Sequence, residues 1–256
     1  MSSNAPLIEL LTALADDEFI LGHRDSEWTG HAPILEEDIA FSNIAQDEIG
    51  HSLIWYQLLE ALTGQTPDQA AFLRPAKDLR CCRFVSYPKG DFAYTVVRQY
   101  LFDEAEQVRL AAFGESSYEP LRRAAAKMLP EEAYHLLHTK GLVERLGRAT
   151  EESHRRMQAA VDAAFPQALG LFETLSSEKA LIDAGVFPGH RELQRRWSEQ
   201  VVPVLVTATI GPPVDASGRN LVEADLGGRK GAHTPYLLEA VSDLQRVYLS
   251  EPGAVW

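Results

Sequence analysis

Three Glu-x-x-His strings, Glu48/His51, Glu132/His135 and Glu151/His154, are the residues of this chain best suited to chemistry. Residues three apart in a helix share a face, so each string would present a carboxylate beside an imidazole, the pairing that holds metals in bundle cores. The string alone is a weak signal, and setting separates the three. Phe41, Ile44, Glu48, His51, Trp55, Leu58 and Leu62 follow an alternating four-then-three ladder, an apolar seam interrupted by Glu48 and His51. Leu121, Ala125, Met128, Glu132, His135, Thr139, Leu142 and Leu146 form a second ladder, interrupted at the corresponding place. Placing a carboxylate and an imidazole on a core seam is costly unless they are paired or coordinate a metal. Glu151 instead opens a helix beside Glu152, Arg155 and Arg156, where solvated charge is ordinary.

Two such helices need a further carboxylate from each of two others to neutralise and bridge two metals. Leu7, Leu11, Leu14, Glu18 and Leu21 form a seam with one acidic interruption, and Glu18 precedes Glu48 by 30 residues, a hairpin separation. A later segment offers Asp103, Glu104 and Glu106. Asp103 lies on the seam of Phe92, Val96, Gln99 and Leu110, and it precedes Glu132 by 29 residues. The residues alone leave Glu104 and Glu106 open as alternatives. The two halves repeat one pattern, a carboxylate and then Glu-x-x-His about 30 residues on. Carboxylates with one imidazole per metal suit iron or manganese and could activate dioxygen. The competing reading is a polar core network with no turnover. Cys81-Cys82 lacks metal or redox spacing, and no Gly-x-Ser-x-Gly elbow occurs.

The elements that must position these residues are helical, since strand-like alternation is scarce. The spacing predicts helices over about 6–24, 33–64, 91–115, 118–147 and 151–175, and shorter ones near 178–184, 189–211 and 233–250. Gly64-Gln65-Thr66-Pro67 closes the second, Asp91 is a fair N-cap for the third, Gly147 ends the fourth and Thr150 opens the fifth. Pro130 should kink the fourth or mark its true start. The stretch 65–90 reads as an irregular crossover between helix pairs. The expected class is all-α: a ferritin-like four-helix bundle with additional C-terminal helices. It is read as one domain over 1–256, with a core bundle at about 6–147 and a helical extension at about 148–256.

The 45% hydrophobic fraction supplies a substantial core, and the net charge of −13 disfavours nucleic acid as a partner. No apolar run approaches the ~18 residues of a membrane span, and the N-terminus lacks a secretory pattern. Adjacent cysteines rarely form an unstrained disulfide, which points to a reducing, cytoplasmic setting.

Glu27-Trp28-Thr29-Gly30-His31-Ala32-Pro33, Asn43-Ile44 and Asp47-x-x-Gly50 resemble the PaaC-type subunit of the phenylacetyl-CoA epoxidase complex. So do Arg98-Gln99-Tyr100, Tyr134-His135, Leu142-Val143-Glu144-Arg145-Leu146-Gly147 and Gly227-Gly228-Arg229-Lys230-Gly231-Ala232-His233-Thr234. The resemblance covers essentially the whole chain. It implies a ferritin-like structural subunit that pairs with a PaaA-type catalytic subunit, in homo- or hetero-oligomers. The complex epoxidises the aromatic ring of phenylacetyl-CoA during aerobic phenylacetate breakdown, with electrons from a flavin and iron–sulfur reductase. Usual members of this subunit type have lost several metal ligands. Here Gln46-Asp47-Glu48-Ile49-Gly50-His51 is similar instead to the catalytic subunit's motif. The comparison places Glu18, Glu48, His51, Asp103, Glu132 and His135 at its ligand positions and selects Asp103 over Glu104. It implies iron, two per chain, with manganese as the alternative and neither if the chain is a pure scaffold.

Two other readings stand beside this one: a self-sufficient di-iron or manganese oxygenase or oxidase, and iron storage in a cage. The turn Gly227–Gly231 could contact a coenzyme A phosphate or a partner's acidic surface, or be a solvated turn. Trp28 and Trp55 read as core or interface anchors, and His31 and His233 as hydrogen-bonded structural histidines.

Overall fold

The computed structural model describes residues 4–251. Among these residues the chain is all-helical, as expected. Its α-helices are α1 (Ala5–Ser26), α2 (Leu35–Thr63), α3 (Pro67–Phe72), α4 (Arg83–Ser86), α5 (Phe92–Phe113), α6 (Glu119–Ala149), α7 (Glu151–Ala168), α8 (Glu178–Asp183), α9 (His190–Thr207) and α10 (Pro235–Ser250). The chain divides into two compact units, one of residues 4–88 with 227–251 and the other of residues 89–226. No helix among the described residues is long and apolar enough to cross a membrane.

The first unit is built on the α1–α2 hairpin. α2 opens with Glu36, Glu37 and Asp38 at the positive end of its dipole and stops at Gly64, whose φ of +75° suits glycine. The hairpin is antiparallel: Gly22 approaches Ala45 and Glu48, while Tyr56 reaches back to Asp16 at 2.7 Å. Leu11, Leu14, Phe41, Ile44 and Trp55 of the sequence ladders are buried.

The connection at 65–90 is more ordered than expected. Thr66 and Gln69 form a capping box for α3, a 3₁₀ turn spans Ala76–Asp78, and α4 follows. Two adjacent buried aspartates of α1 hold this connection. Asp16 accepts from the Arg80 amide at 2.6 Å and pairs with Arg74. Asp17 accepts from the Cys82 amide at 2.7 Å and pairs with Arg229, whose Nη1 lies 2.8 Å from Oδ1. Arg229 is itself buried. It sits in the Gly227–Gly231 turn, where a Cβ on Gly228 would meet the Cys81 carbonyl at 2.4 Å. The turn is therefore an internal strut. Arg229, which the sequence left open for a phosphate or an acidic partner, is committed to Asp17 inside its own unit. Cys81 and Cys82 are buried free thiols beneath it, and burial pushes both of their pKa values up.

The second unit is built on an antiparallel α5–α6 hairpin, in which Gln107 reaches the Leu129 carbonyl and Asp103 meets Thr139. α5 is capped by Asp91, which accepts from the Tyr94 amide at 2.9 Å. α6 runs unbroken through Pro130, so that proline does not mark its start. Pro130 and Ala126, whose carbonyl loses its partner, are both exposed, and water can satisfy the freed group. Gly147 lies inside α6 rather than ending it. A Cβ there would meet the Ala208 carbonyl at 2.4 Å, so this glycine permits close approach by the segment after α9. The helix expected to reach 175 ends at Ala168 and continues as a 3₁₀ turn, Leu169–Phe172. Trp197 of α9 packs against Phe165 and Phe172 and donates to the Leu101 carbonyl at 2.9 Å.

Glu178 of α8 accepts from the His190 ring and from the His190 amide. Burial opposes its charge. Bonds from the His190 side chain, the His190 charge and the His190 and Leu175 amides outweigh that cost and hold its pKa below the usual carboxylate value.

Two outcomes follow from these buried charges. Arg229→Met strands Asp17 and should lower the unfolding free energy by about 3–5 kcal/mol in urea melts. Glu178→Gln should cost about 1–2 kcal/mol near neutral pH, the scale of hydrogen bonds to a charged group. Because the folded pKa of Glu178 is depressed, its contribution is full above the ordinary carboxylate pKa and is lost as pH falls through the folded value. The gap between wild type and variant should therefore close on acidification below about pH 4.

Candidate metal centre

Each unit carries one triad made of a lone carboxylate and a Glu-x-x-His pair. In the first unit Glu18 comes from α1, and Glu48 and His51 come from α2. Each offers one ligand atom, and these atoms lie within 4.8 Å of one another. Gly22, one turn after Glu18, lets the helices close here, since a Cβ would lie 3.1 Å from the Glu48 Cβ and 3.0 Å from the Ala45 carbonyl. In the second unit Asp103 of α5 and Glu132 and His135 of α6 meet the same 4.8 Å limit. All six residues are at most 1% exposed, in cores otherwise filled by Leu, Phe, Val and Trp.

The three acids of α5 are all buried and are sorted by their partners. Glu106 pairs with Arg109, and Glu104 lies near Tyr100 and Lys140. Asp103 joins Glu132 and His135. Its Oδ1 accepts from Gln99 Nε2 at 2.8 Å and its Oδ2 from Thr139 Oγ1 at 2.6 Å. Burial and then the Glu132 charge push the Asp103 pKa well above the carboxylate range, with His135, Thr139 and Gln99 pulling against them. Burial also raises Glu104 and drives the Tyr100 hydroxyl far up.

The donor set fits a divalent cation in each triad. His51 Nδ1 lies 3.9 Å from Glu18 Oε2, and His135 Nδ1 lies 3.6 Å from Glu132 Oε1. Both separations exceed a hydrogen bond, yet two atoms each about 2.1 Å from a shared ion can lie up to about 4.2 Å apart. Two carboxylates and a neutral imidazole balance the charge of one divalent ion. Oxygen-rich ligation with one nitrogen and no thiolate suits iron or manganese.

The remaining candidates lie outside the two triads. Glu151 is exposed at the start of α7, and His154 turns Nδ1 to the Gly147 carbonyl at 3.0 Å. Trp28 and Trp55 are buried, His31 is exposed, and His233 bonds the Leu79 carbonyl at 2.9 Å. The sequence reading did not single out Gln99 and Thr139 as donors to Asp103. Their signal was present in the ladders, because Gln99 lies four residues before Asp103 and Thr139 four after His135.

A family model described as "Phenylacetic acid catabolic protein" matches residues 1–256. The chain is 32% identical over 244 residues to the C subunit of the 1,2-phenylacetyl-CoA epoxidase of Escherichia coli (strain K12), covering 95% of this chain and 96% of that protein. It is 26% identical over 166 residues to the A subunit of the same epoxidase, covering 65% of this chain and 53% of that protein.

Gly22→Ala should force α1 away from α2 beside Glu48. The expected cost is about 1–3 kcal/mol, as for overpacking a filled core, read from denaturant midpoints against wild type.

Proposed function

Since the chain belongs to the phenylacetic acid catabolic protein family, we propose that it works as the PaaC-type component of a 1,2-phenylacetyl-CoA epoxidase in phenylacetate catabolism. The observation that carries this is the match to the epoxidase's C subunit over nearly the full length of both chains. The partner would be a PaaA-type chain, itself a relative of this one. A flavin and iron–sulfur reductase would supply electrons to the wider complex, and the setting would be cytoplasmic.

Within that role the two triads are read as two metal positions, Glu18, Glu48 and His51 for one and Asp103, Glu132 and His135 for the other. Iron, or manganese in its place, would supply redox chemistry with dioxygen there when bound. The chain's own contribution is to hold four carboxylates and two imidazoles in fixed, dry positions on long helices. Burial deprives the carboxylates of water, so a cation gains what solvent cannot offer them. Each triad brings two carboxylates and one imidazole from its own helix pair, the donor types that carboxylate-rich metal sites in helix bundles use.

The completeness of the donor set favours a second reading, in which the chain oxidises substrate by itself. The two are separated by assaying the chain alone and with its partner. A PaaA-type chain should co-purify with it at micromolar concentration and be required for phenylacetyl-CoA turnover. Turnover without the partner would favour the second reading, and failure to associate would refute the first. Elemental analysis after anaerobic iron loading should give about two metals per chain, with loss in Glu48→Ala. A chain that stays metal-free would be a scaffold only.

A further inference from the structure

Asp103 is gripped from two helices by neutral donors. Gln99, one turn before it on α5, donates to Oδ1 at 2.8 Å, and Thr139, one turn after His135 on α6, donates to Oδ2 at 2.6 Å. Gln99, Asp103 and Thr139 are each 0% exposed. Thr139 Oγ1 also lies 3.0 Å from the His135 carbonyl, so the same hydroxyl touches the backbone of a second triad member. The hydroxyl has one proton, and the shorter contact, to the Asp103 carboxyl oxygen, takes it.

Two consequences follow from this geometry. With one donor on each oxygen, the carboxylate plane cannot rotate about its χ2 without breaking a bond. Each carboxylate oxygen has two lone pairs, so each keeps one for a cation. The positions that correspond in the α1–α2 hairpin, four before Glu18 and four after His51, are Leu14 and Trp55, and Leu14 has no side-chain polar group. The grip on Asp103 is therefore not a by-product of the repeated ladder.

We propose that Gln99 and Thr139 are positioning residues that fix Asp103 as a terminal ligand of the cation held by the α5–α6 triad. They do not touch the cation. They act by setting the orientation of a carboxylate that would otherwise be free to swing. This inference rests on the reading of the triads as metal positions. A purely structural role would have the two donors do no more than satisfy a buried acid, and it predicts altered stability with unaltered metal affinity.

The test uses the full chain, stripped of metal and titrated with Mn(II), with free ion followed by its paramagnetic resonance signal. Thr139→Val keeps the side-chain shape and removes the donor, Thr139→Ser keeps the hydroxyl, and Gln99→Leu removes the second donor from the other helix. The expected result is a 10–100-fold weaker affinity for one of the two ions in Thr139→Val, the scale of lost support to a ligand. Gln99→Leu should show a similar loss, and Thr139→Ser should restore binding close to wild type. Melting of the metal-free forms is recorded in parallel, so that a variant that fails to fold is recognised and the other donor decides. Unchanged Mn(II) affinity in the folded donor-deletion variants would overturn the positioning role and leave the metal reading standing. A wild-type chain that binds no Mn(II) would remove both.

Discussion

The constraint on which this structure turns is the cost of keeping negative charge out of water. α1 carries three consecutive acids, Asp16, Asp17 and Glu18, all at most 1% exposed. Successive residues point about 100° apart around a helix, so three neighbours cannot share one partner. Each has a separate answer. Asp16 takes Arg74, the Tyr56 hydroxyl and the Arg80 amide. Asp17 takes Arg229 and the Cys82 amide. Glu18 joins Glu48 and His51. Much of the first unit's order follows from these demands: the 65–90 connection folds over α1 to present its amides and Arg74, and the segment after residue 227 returns to insert Arg229.

α5 solves the same problem with local means. Glu106 uses Arg109, Glu104 lies near Lys140, and Asp103 uses Gln99 and Thr139 beside its triad. The two solutions differ in range. Arg229 lies 212 positions from Asp17, whereas Arg109 is three from Glu106 and Gln99 four from Asp103. The first unit therefore depends on segments distant in sequence, and the α5–α6 hairpin carries most of its charge compensation on its own two helices.

That difference in range decides what could be read from sequence. The ladders through Glu48/His51 and Glu132/His135 were legible because helical periodicity is local, and their central residues are buried as the ladders require. Leu58, Leu62 and Leu146 at the ladder ends are only partly buried, since a seam loses its cover toward a helix terminus. Asp16 and Asp17 were not legible. A seam assigns about one residue per turn to the core, and their burial comes from chain far away. Gly147 looked like a helix stop because C-terminal glycines usually are, yet its role is set by Ala208. Pro130 looked like a break, but periodicity does not show that the freed carbonyl would face solvent.

The triads raise a question that stability does not answer. Replacing a buried ion cluster with apolar residues of equal volume is often neutral or stabilising, by about 1–4 kcal/mol. A chain that served only as a scaffold would have an easier solution in leucine at these six positions, as it does at Leu14 and Leu142 on the same ladders. Asp16, Asp17 and Glu106 have protein cations and amides beside them, so their burial is explained from within the chain. The triads gather two carboxylates around each imidazole, with His–carboxylate separations of 3.9 Å for His51–Glu18 and 3.6 Å for His135–Glu132. Two carboxylates and one imidazole in each triad match the charge of a divalent cation, and this chemistry is what the proposed metal positions draw on.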